Sequence, residues 1–190
     1  MNLPNKLTCL RILLMPLTFY LIFQNAWLPF LFAYILATLI GFTDHFDGYL
    51  ARRYGIVTRF GQFLDPLADK IFVVTLLLYF LGIGYAPAWF VILVLIREFA
   101  MTDLRTLAAE ESMDIRVNLL GKRKALFQYL LLFHLGYLRF IDLLGFSLTN
   151  TEHVIAQSTL IFLLGLVTFF TVFSMGYYLK SNWNLFFFFL

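Results

Sequence analysis

Charge is the first thing this sequence is short of. Only 13% of its residues are Asp, Glu, Lys or Arg and 62% are hydrophobic, against about a quarter charged and about half apolar in soluble domains. A core of ordinary soluble size could not absorb so much apolar side chain, which excludes a solvated globular domain. Cysteine is nearly absent. The single Cys9 rules out an internal disulfide, supplies no metal-binding pattern and reads as a packing residue. There is no His-Glu-x-x-His pair, no nucleophile elbow and no P-loop, so zinc-protease, serine-hydrolase and P-loop chemistry have no footing. Internal repeats and low-complexity linkers are missing too. Met1 to Pro4 carry no positive region and no small-residue cleavage site follows, so a cleaved leader is not expected. The net charge of +3 is too modest to imply a nucleic-acid partner.

What the chain does have is apolar residues in long blocks, at 10–24, 28–50, 60–83, 86–110, 124–145 and 154–179. Each but the first approaches or exceeds the roughly 20 residues needed to cross a hydrocarbon core. In lipid a helix satisfies its own backbone hydrogen bonds, so the expectation is an all-α polytopic membrane protein of six helices, one integral membrane domain over 1–190. Basic residues set the orientation. Lys6 and Arg11 open the first span, and Arg52, Arg53 and Arg59 follow the second. Arg105, Arg116, Lys122, Arg123 and Lys124 flank the fourth connection, and Lys180 follows the sixth span. Arg139 alone lies on the opposite side. Both termini are therefore expected in the cytoplasm, with small size and compact loops pointing to a bacterial inner membrane. The Phe186 to Phe189 run reads as an interfacial tail.

The chemistry concentrates in Thr43-Asp44-His45-Phe46-Asp47-Gly48-Tyr49-Leu50-Ala51-Arg52 and Gly61-Gln62-Phe63-Leu64-Asp65-Pro66-Leu67-Ala68-Asp69-Lys70. Asp44 and Asp47 are three apart, and Asp65 and Asp69 four apart, so each pair shares a helical face. A short turn through Tyr54 and Gly55 would bring the two faces together. A charge near the bilayer interior costs about 3 kcal/mol even on a lenient scale, so such residues are functional by default. Four neighbouring carboxylates also repel one another and would be driven to protonate. Divalent cations remove both difficulties. Oxygen donors favour Mg²⁺ or Mn²⁺ over softer metals, and two ions about 4 Å apart form the clamp used for in-line displacement at phosphorus. Ion pairing of every aspartate with Arg52, Arg53, Arg59 or Lys70 accounts for the spacing less well. Gly48, Ala51 and Gly61 leave room on that face for a bulky ligand, although small-residue helix packing is an alternative use, and Arg52 is placed to grip a phosphate. His45 points off the aspartate face, and His134 and His153 have no ligand partner at helical spacing.

These residues resemble the signature of the CDP-alcohol phosphatidyltransferases, D-x-x-D-G-x-x-A-R-x8-G-x3-D-x3-D, which Asp44, Asp47, Gly48, Ala51, Arg52, Gly61, Asp65 and Asp69 fill at every fixed position. The resemblance implies a six-helix membrane fold, a homodimer, and a two-metal site ligated by the four aspartates, with Asp69 also acting as general base. It implies CDP-diacylglycerol as donor, bordered by Asn5, Thr8, Gly48, Ala51, Arg52, Thr58 and Gly61. Asn5-Lys6-Leu7-Thr8-Cys9-Leu10-Arg11, Arg97-Glu98, Arg105, Gly121-Lys122-Arg123-Lys124 with Gln128, Ser174-Met175 and Tyr178-Leu179 look like the branch of that family that takes glycerol 3-phosphate. Ala125 departs from that branch, which has threonine there. An acceptor that is itself a phosphate ester needs basic residues, and Arg97, Arg105, Lys122 and Lys124 are the candidates, with Glu98 expected to pair with a neighbouring cation. Family members acting on other acceptors, a second lipid or an inositol phosphate, would differ in that pocket. A divalent-cation transporter is a reading of another class. It would place carboxylates near the midplane on broken helices, whereas these lie beside Arg52, Arg53 and Arg59 at a membrane face.

Overall fold

The computed structural model describes the backbone of residues 3–54, 59–110 and 119–181, and the side chains of 10, 12–41, 67–104, 106, 121 and 123–180. Within these residues the chain is all-α: α1 (Leu3–Ile22), α2 (Trp27–Tyr54), α3 (Arg59–Gly82), α4 (Ala88–Glu110), α5 (Leu119–Leu143) and α6 (Asn150–Ser181). Each expected span has its helix. The first is longer than its apolar block, because Asn5, Lys6, Thr8 and Arg11 continue the helix towards the N-terminus without adding hydrophobicity. Pro16 sits inside α1, where it withholds one backbone donor from the helix ladder.

The helix ends follow local chemistry. After α3, Gly84 takes a left-handed conformation (φ 80°), with Tyr85 N–H donating to Phe80 O at 2.8 Å and Gly84 N–H to Leu81 O at 3.0 Å. That is a Schellman ending, and α5 ends the same way at Gly145 (φ 70°), with Gly145 N–H to Asp142 O and Phe146 N–H to Ile141 O. Asn25 supplies the left-handed residue between α1 and α2 (φ 51°). Helix α6 opens on a capping box: Thr149 N–H donates to Glu152 Oε2 at 2.9 Å, and Glu152 N–H returns to Thr149 Oγ1 at 3.4 Å.

Two helical segments, Arg123–Leu143 and Asn150–Lys180, are long and apolar enough to cross a membrane among the described residues, and Ile12–Ile22 and Trp27–Gly41 are shorter apolar helices. Side chains such as Leu13, Phe32, Ile35, Ile92, Phe99, Phe133, Ile161 and Phe162 are exposed. Soluble monomers rarely show apolar surface so extensively.

The chain divides into two compact units. The first, Met1–Tyr79 with Leu135–Leu148, packs α1 along α2. Aromatic rings pack along it: Phe19 stacks on the buried Phe72, the exposed Phe23 meets Tyr79 edge-on at 5.5 Å, and the buried Phe30 lies between Tyr34 and Tyr79. Arg139, the lone basic residue expected on the far side, is tied down here. Its guanidinium donates to Asp142 at 2.7 Å, Asn25 Oδ1 at 2.9 Å and the Tyr79 hydroxyl at 3.3 Å. The second unit, Phe80–His134 with Thr149–Leu190, packs α4 along α6. Phe127 stacks on Phe170 at 5.2 Å, and the His134 ring nitrogen Nε2 meets the Ala156 carbonyl at 3.1 Å, joining α5 to α6.

Candidate active site

Both aspartate pairs lie in continuous helix, Asp44 and Asp47 near the end of α2 and Asp65 and Asp69 early in α3. Their spacings are therefore one helical turn, as the sequence requires. Asp69 alone of the four has a described side chain. It is half-buried, one turn before Phe72 and Val73 on the inward stripe of α3 that continues through Leu76, Leu77 and Phe80. A carboxylate on an apolar helix's inward stripe is a costly placement. The side chains of Asp44, Asp47, Asp65, Asn5, Thr8, Gly48, Ala51, Arg52, Gly61, Arg105 and Lys122 lie outside the described residues, as do Cys9 and His45, and all of Thr58 and Phe186 to Phe189.

The second group of expected residues is seen directly. Helix α4 buries Phe90, Val91, Val94, Arg97 and Met101, a stripe at three- and four-residue spacing in which Arg97 occupies an apolar position. Helix α5 buries Lys124, Gln128, Leu131, Leu132 and Leu135, and α6 buries Leu163, Val167, Thr171, Ser174 and Tyr178. The α5 and α6 stripes are each apolar at one end and polar at the other, and their polar ends meet Arg97 and Glu98 of α4.

Glu98 joins them. Its Oε1 accepts from Arg97 Nη1 at 3.1 Å and from Lys124 Nζ, so one carboxylate serves two cations. Lys124 is 2% exposed and Arg97 8%. Arg97 Nη2 reaches Ser174 Oγ at 3.5 Å, while the Ser174 hydroxyl donates to Thr171 O at 3.1 Å, leaving its oxygen lone pairs to face the guanidinium. A Cβ at Gly121 would make ordinary contact with Arg97 Nη2, at 3.4 Å. Arg97 Nε, Gln128 Nε2 and Thr171 Oγ1 are buried without a hydrogen-bond partner among the described residues.

The unfilled donors at Arg97 and Gln128 call for an acceptor. The cluster is chemically ready for an anion that accepts several hydrogen bonds, as a phosphate does. Arg97 and Lys124 are brought together as the sequence suggested, and Glu98 pairs with both. Thr171 was not anticipated, although its signal was present: it lies on the same helical stripe as Ser174 and Tyr178, at a spacing that an interior face produces.

Comparison with known proteins places the chain in a family. The family model described as CDP-alcohol phosphatidyltransferase matches residues 1–171, which include both aspartate pairs and the Arg97–Lys124 cluster. This chain belongs to the CDP-alcohol phosphatidyltransferase family. It is accordingly a transferase. It is 35% identical over 200 aligned residues, 96% of each chain, to the CDP-diacylglycerol–glycerol-3-phosphate 3-phosphatidyltransferase of Bacillus subtilis (strain 168). A relative of the same name from Yersinia pestis (strain Pestoides F) is 34% identical over 193 residues, 97% of this chain and 96% of its own. Another, from Rickettsia bellii (strain RML369-C), is 37% identical over 127 residues, 67% of this chain and 70% of its own. The relationship to the Bacillus and Yersinia proteins covers at least 96% of each chain.

Proposed function

We propose that this CDP-alcohol phosphatidyltransferase moves the phosphatidyl group of CDP-diacylglycerol onto glycerol 3-phosphate, releasing CMP, which is the reaction of a phosphatidylglycerophosphate synthase. The observation that carries the reading is the end-to-end relationship at 35% identity to a protein bearing that activity in its name. The buried Arg97 and Lys124 add support, because glycerol 3-phosphate brings a phosphate for basic residues to hold.

In this reading the acceptor hydroxyl oxygen attacks the phosphatidyl phosphorus, the bond from that phosphorus to the bridging oxygen breaks, and CMP departs. Asp69 receives the hydroxyl proton. A carboxylate is a weak base, so its pull grows as the hydroxyl acidifies in the transition state. Asn5, Thr8, Gly48, Ala51, Arg52, Thr58 and Gly61 hold the cytidine diphosphate, with Arg52 donating to a phosphate. Arg97, Arg105, Lys122 and Lys124 hold the acceptor phosphate. Positioning and electrostatics then supply most of the barrier reduction.

Asp44, Asp47, Asp65 and Asp69 offer carboxylate oxygens only, a donor set that fits Mg²⁺ or Mn²⁺. Two such ions, when bound, would offset the diphosphate charge and that of the departing CMP. The enzyme is a multi-pass protein of the bacterial inner membrane, with six spans, cytoplasmic termini and a cytoplasmic active site, and it works as a homodimer. The exposed Leu, Ile and Phe of α1, α2, α4, α5 and α6 support immersion in lipid, and the distribution of Lys and Arg supports the orientation.

The test is CMP release by purified protein given CDP-diacylglycerol, Mg²⁺ or Mn²⁺ and a panel of acceptors. Release with glycerol 3-phosphate is the expected result. Release only with phosphatidylglycerol, as a cardiolipin synthase would give, or only with an inositol phosphate would keep the family and overturn the acceptor.

A further inference from the structure

We infer that Gln128 and Thr171 are specificity-determining residues of the acceptor site: together they bind the secondary hydroxyl of glycerol 3-phosphate, the one that does not react. This rests on the proposed function above and deepens it, by assigning two neutral side chains to a part of the acceptor other than its phosphate. Both are almost wholly buried, Gln128 being 4% exposed and Thr171 1%. Gln128 Nε2 and Thr171 Oγ1 nevertheless have no hydrogen-bond partner among the described residues. A buried polar atom in that state is costly, and a ligand that meets it removes the cost.

Thr171 departs from what other helical threonines of this chain do. Thr18, Thr38, Thr102, Thr106 and Thr159 each donate to the carbonyl four residues earlier. The Thr171 hydroxyl makes no such bond, and Thr168, in a residue only partly buried, shares the trait. The helices bring Thr171 level with Gln128. Phe127 stacks on Phe170 and His134 meets Ala156, so α5 and α6 run antiparallel, and the residues following the two stacked rings are Gln128 and Thr171. Gln128 lies one turn beyond Lys124 and Thr171 one turn before Ser174. Their level is therefore about 5.4 Å further along the helices than the Arg97–Ser174 contact. Past it the same stripes become Leu131, Leu132 and Val167. A charged group would be costly beside that apolar end, whereas a hydroxyl is neutral and both donates and accepts. It can accept from Gln128 Nε2 while donating to Thr171 Oγ1. Glycerol 3-phosphate carries its secondary hydroxyl a few bonds from its phosphate, which suits a phosphate at Arg97 and a hydroxyl one turn further in. The less hindered primary hydroxyl is left to attack.

The experiment gives the full-length enzyme two acceptors, glycerol 3-phosphate and 3-hydroxypropyl phosphate, and measures kcat/KM for each from CMP release. The second acceptor keeps the phosphate and a primary hydroxyl and lacks the secondary one. Binding it leaves the two buried groups unmet, so the native enzyme should prefer glycerol 3-phosphate by at least about tenfold. Thr171→Val and Gln128→Met, close in shape but unable to make these bonds, should each erase most of that preference by lowering kcat/KM for glycerol 3-phosphate. Thr171→Ser, which keeps the hydroxyl, should retain it. Equal use of both acceptors by the native enzyme would overturn the inference. Equal losses with both acceptors in the variants, the preference intact, would give the two residues to the phosphate or to packing and would also overturn it. Should Thr171→Val fail to accumulate, Gln128→Met carries the same test, and a retained preference there overturns the inference. No CMP from the native enzyme with glycerol 3-phosphate is instead the failure of the proposed function. CMP with an unshifted preference in the variants is the failure of this inference alone.

Discussion

Gly136 in α5 offers a sharp test of the packing, because two opposing effects of known size meet there. A methyl group added at Gly136 would stand 2.7 Å from Tyr34 Cδ2, with Cε2 closer still. Carbon atoms prefer about 3.5–4.0 Å, so the ring would have to retreat by about 1 Å. It has little freedom to do so: Tyr34 stacks on Phe30 with only 13° between the planes, and the buried Phe30 leans in turn on Tyr79. Forcing an extra methyl into such packing costs about 1–3 kcal/mol. Replacing a mid-helix glycine by alanine returns about 1 kcal/mol of helix propensity. The steric term should win, leaving Gly136→Ala destabilised by about 1 kcal/mol and its melting temperature lowered by about 2–4 °C. Thermal unfolding in detergent micelles reads this out. Gly165→Ala in α6, where an added Cβ meets nothing within 4 Å, keeps the propensity gain and should melt at the same temperature or slightly higher. Combining Gly136→Ala with Tyr34→Ala should show a favourable coupling of more than about 0.5 kcal/mol. If Gly136→Ala stabilises the protein as Gly165→Ala does, the close approach of α5 to Tyr34 is wrong.

Other outcomes follow from contacts already described. Arg139→Met removes hydrogen bonds to Asp142, Asn25 and Tyr79. Because the Asp142 partner is exposed and its ion pair weak, the loss should be about 1–2 kcal/mol, measured by the same melts. Thr149→Ala breaks the capping box of α6 and should cost about 1 kcal/mol, with Glu152→Gln milder because a glutamine still accepts from the Thr149 N–H. Stripping divalent cations with a chelator should abolish CMP release, and Mg²⁺ or Mn²⁺ should restore it while Ca²⁺ does so poorly. Activity persisting through exhaustive chelation would remove the carboxylates' assigned role.

The positions of all six helices were legible because hydrophobic blocks and turn chemistry agree: Gly84 and Gly145 fall where the helices stop, and Thr149 with Glu152 where the last one starts. The start of α1 was not, since Asn5, Lys6, Thr8 and Arg11 form helix without raising hydrophobicity. Membrane crossing by composition is clearest for α5 and α6, whereas α4 interrupts its apolar run with Arg97, Glu98 and Asp103. In the candidate site, Arg97 and Lys124 were found from the family resemblance and the need for basic residues around a phosphorylated acceptor, and the pairing of Glu98 from its neighbours. Gln128 and Ser174 could be noticed only by resemblance, and Thr171 escaped. Only its spacing from Ser174 and Tyr178 marked Thr171, and the burial of a hydroxyl or amide depends on which neighbouring helix covers it. Arg139 shows the converse. Its oddity was visible in sequence, and its reason lies in three partners drawn from the α1–α2 turn, α3 and α5.

The most direct measurement is CMP release from CDP-diacylglycerol with glycerol 3-phosphate and Mg²⁺, comparing the native enzyme with Asp69→Asn. The account requires turnover by the native enzyme. It also requires its loss in Asp69→Asn by at least about a hundredfold, the scale of a positioned acid–base group, with much of the binding of CDP-diacylglycerol retained. Asp69→Asn turning over at the native rate, or no CMP from the native enzyme with any acceptor while a related enzyme works under the same conditions, would contradict it.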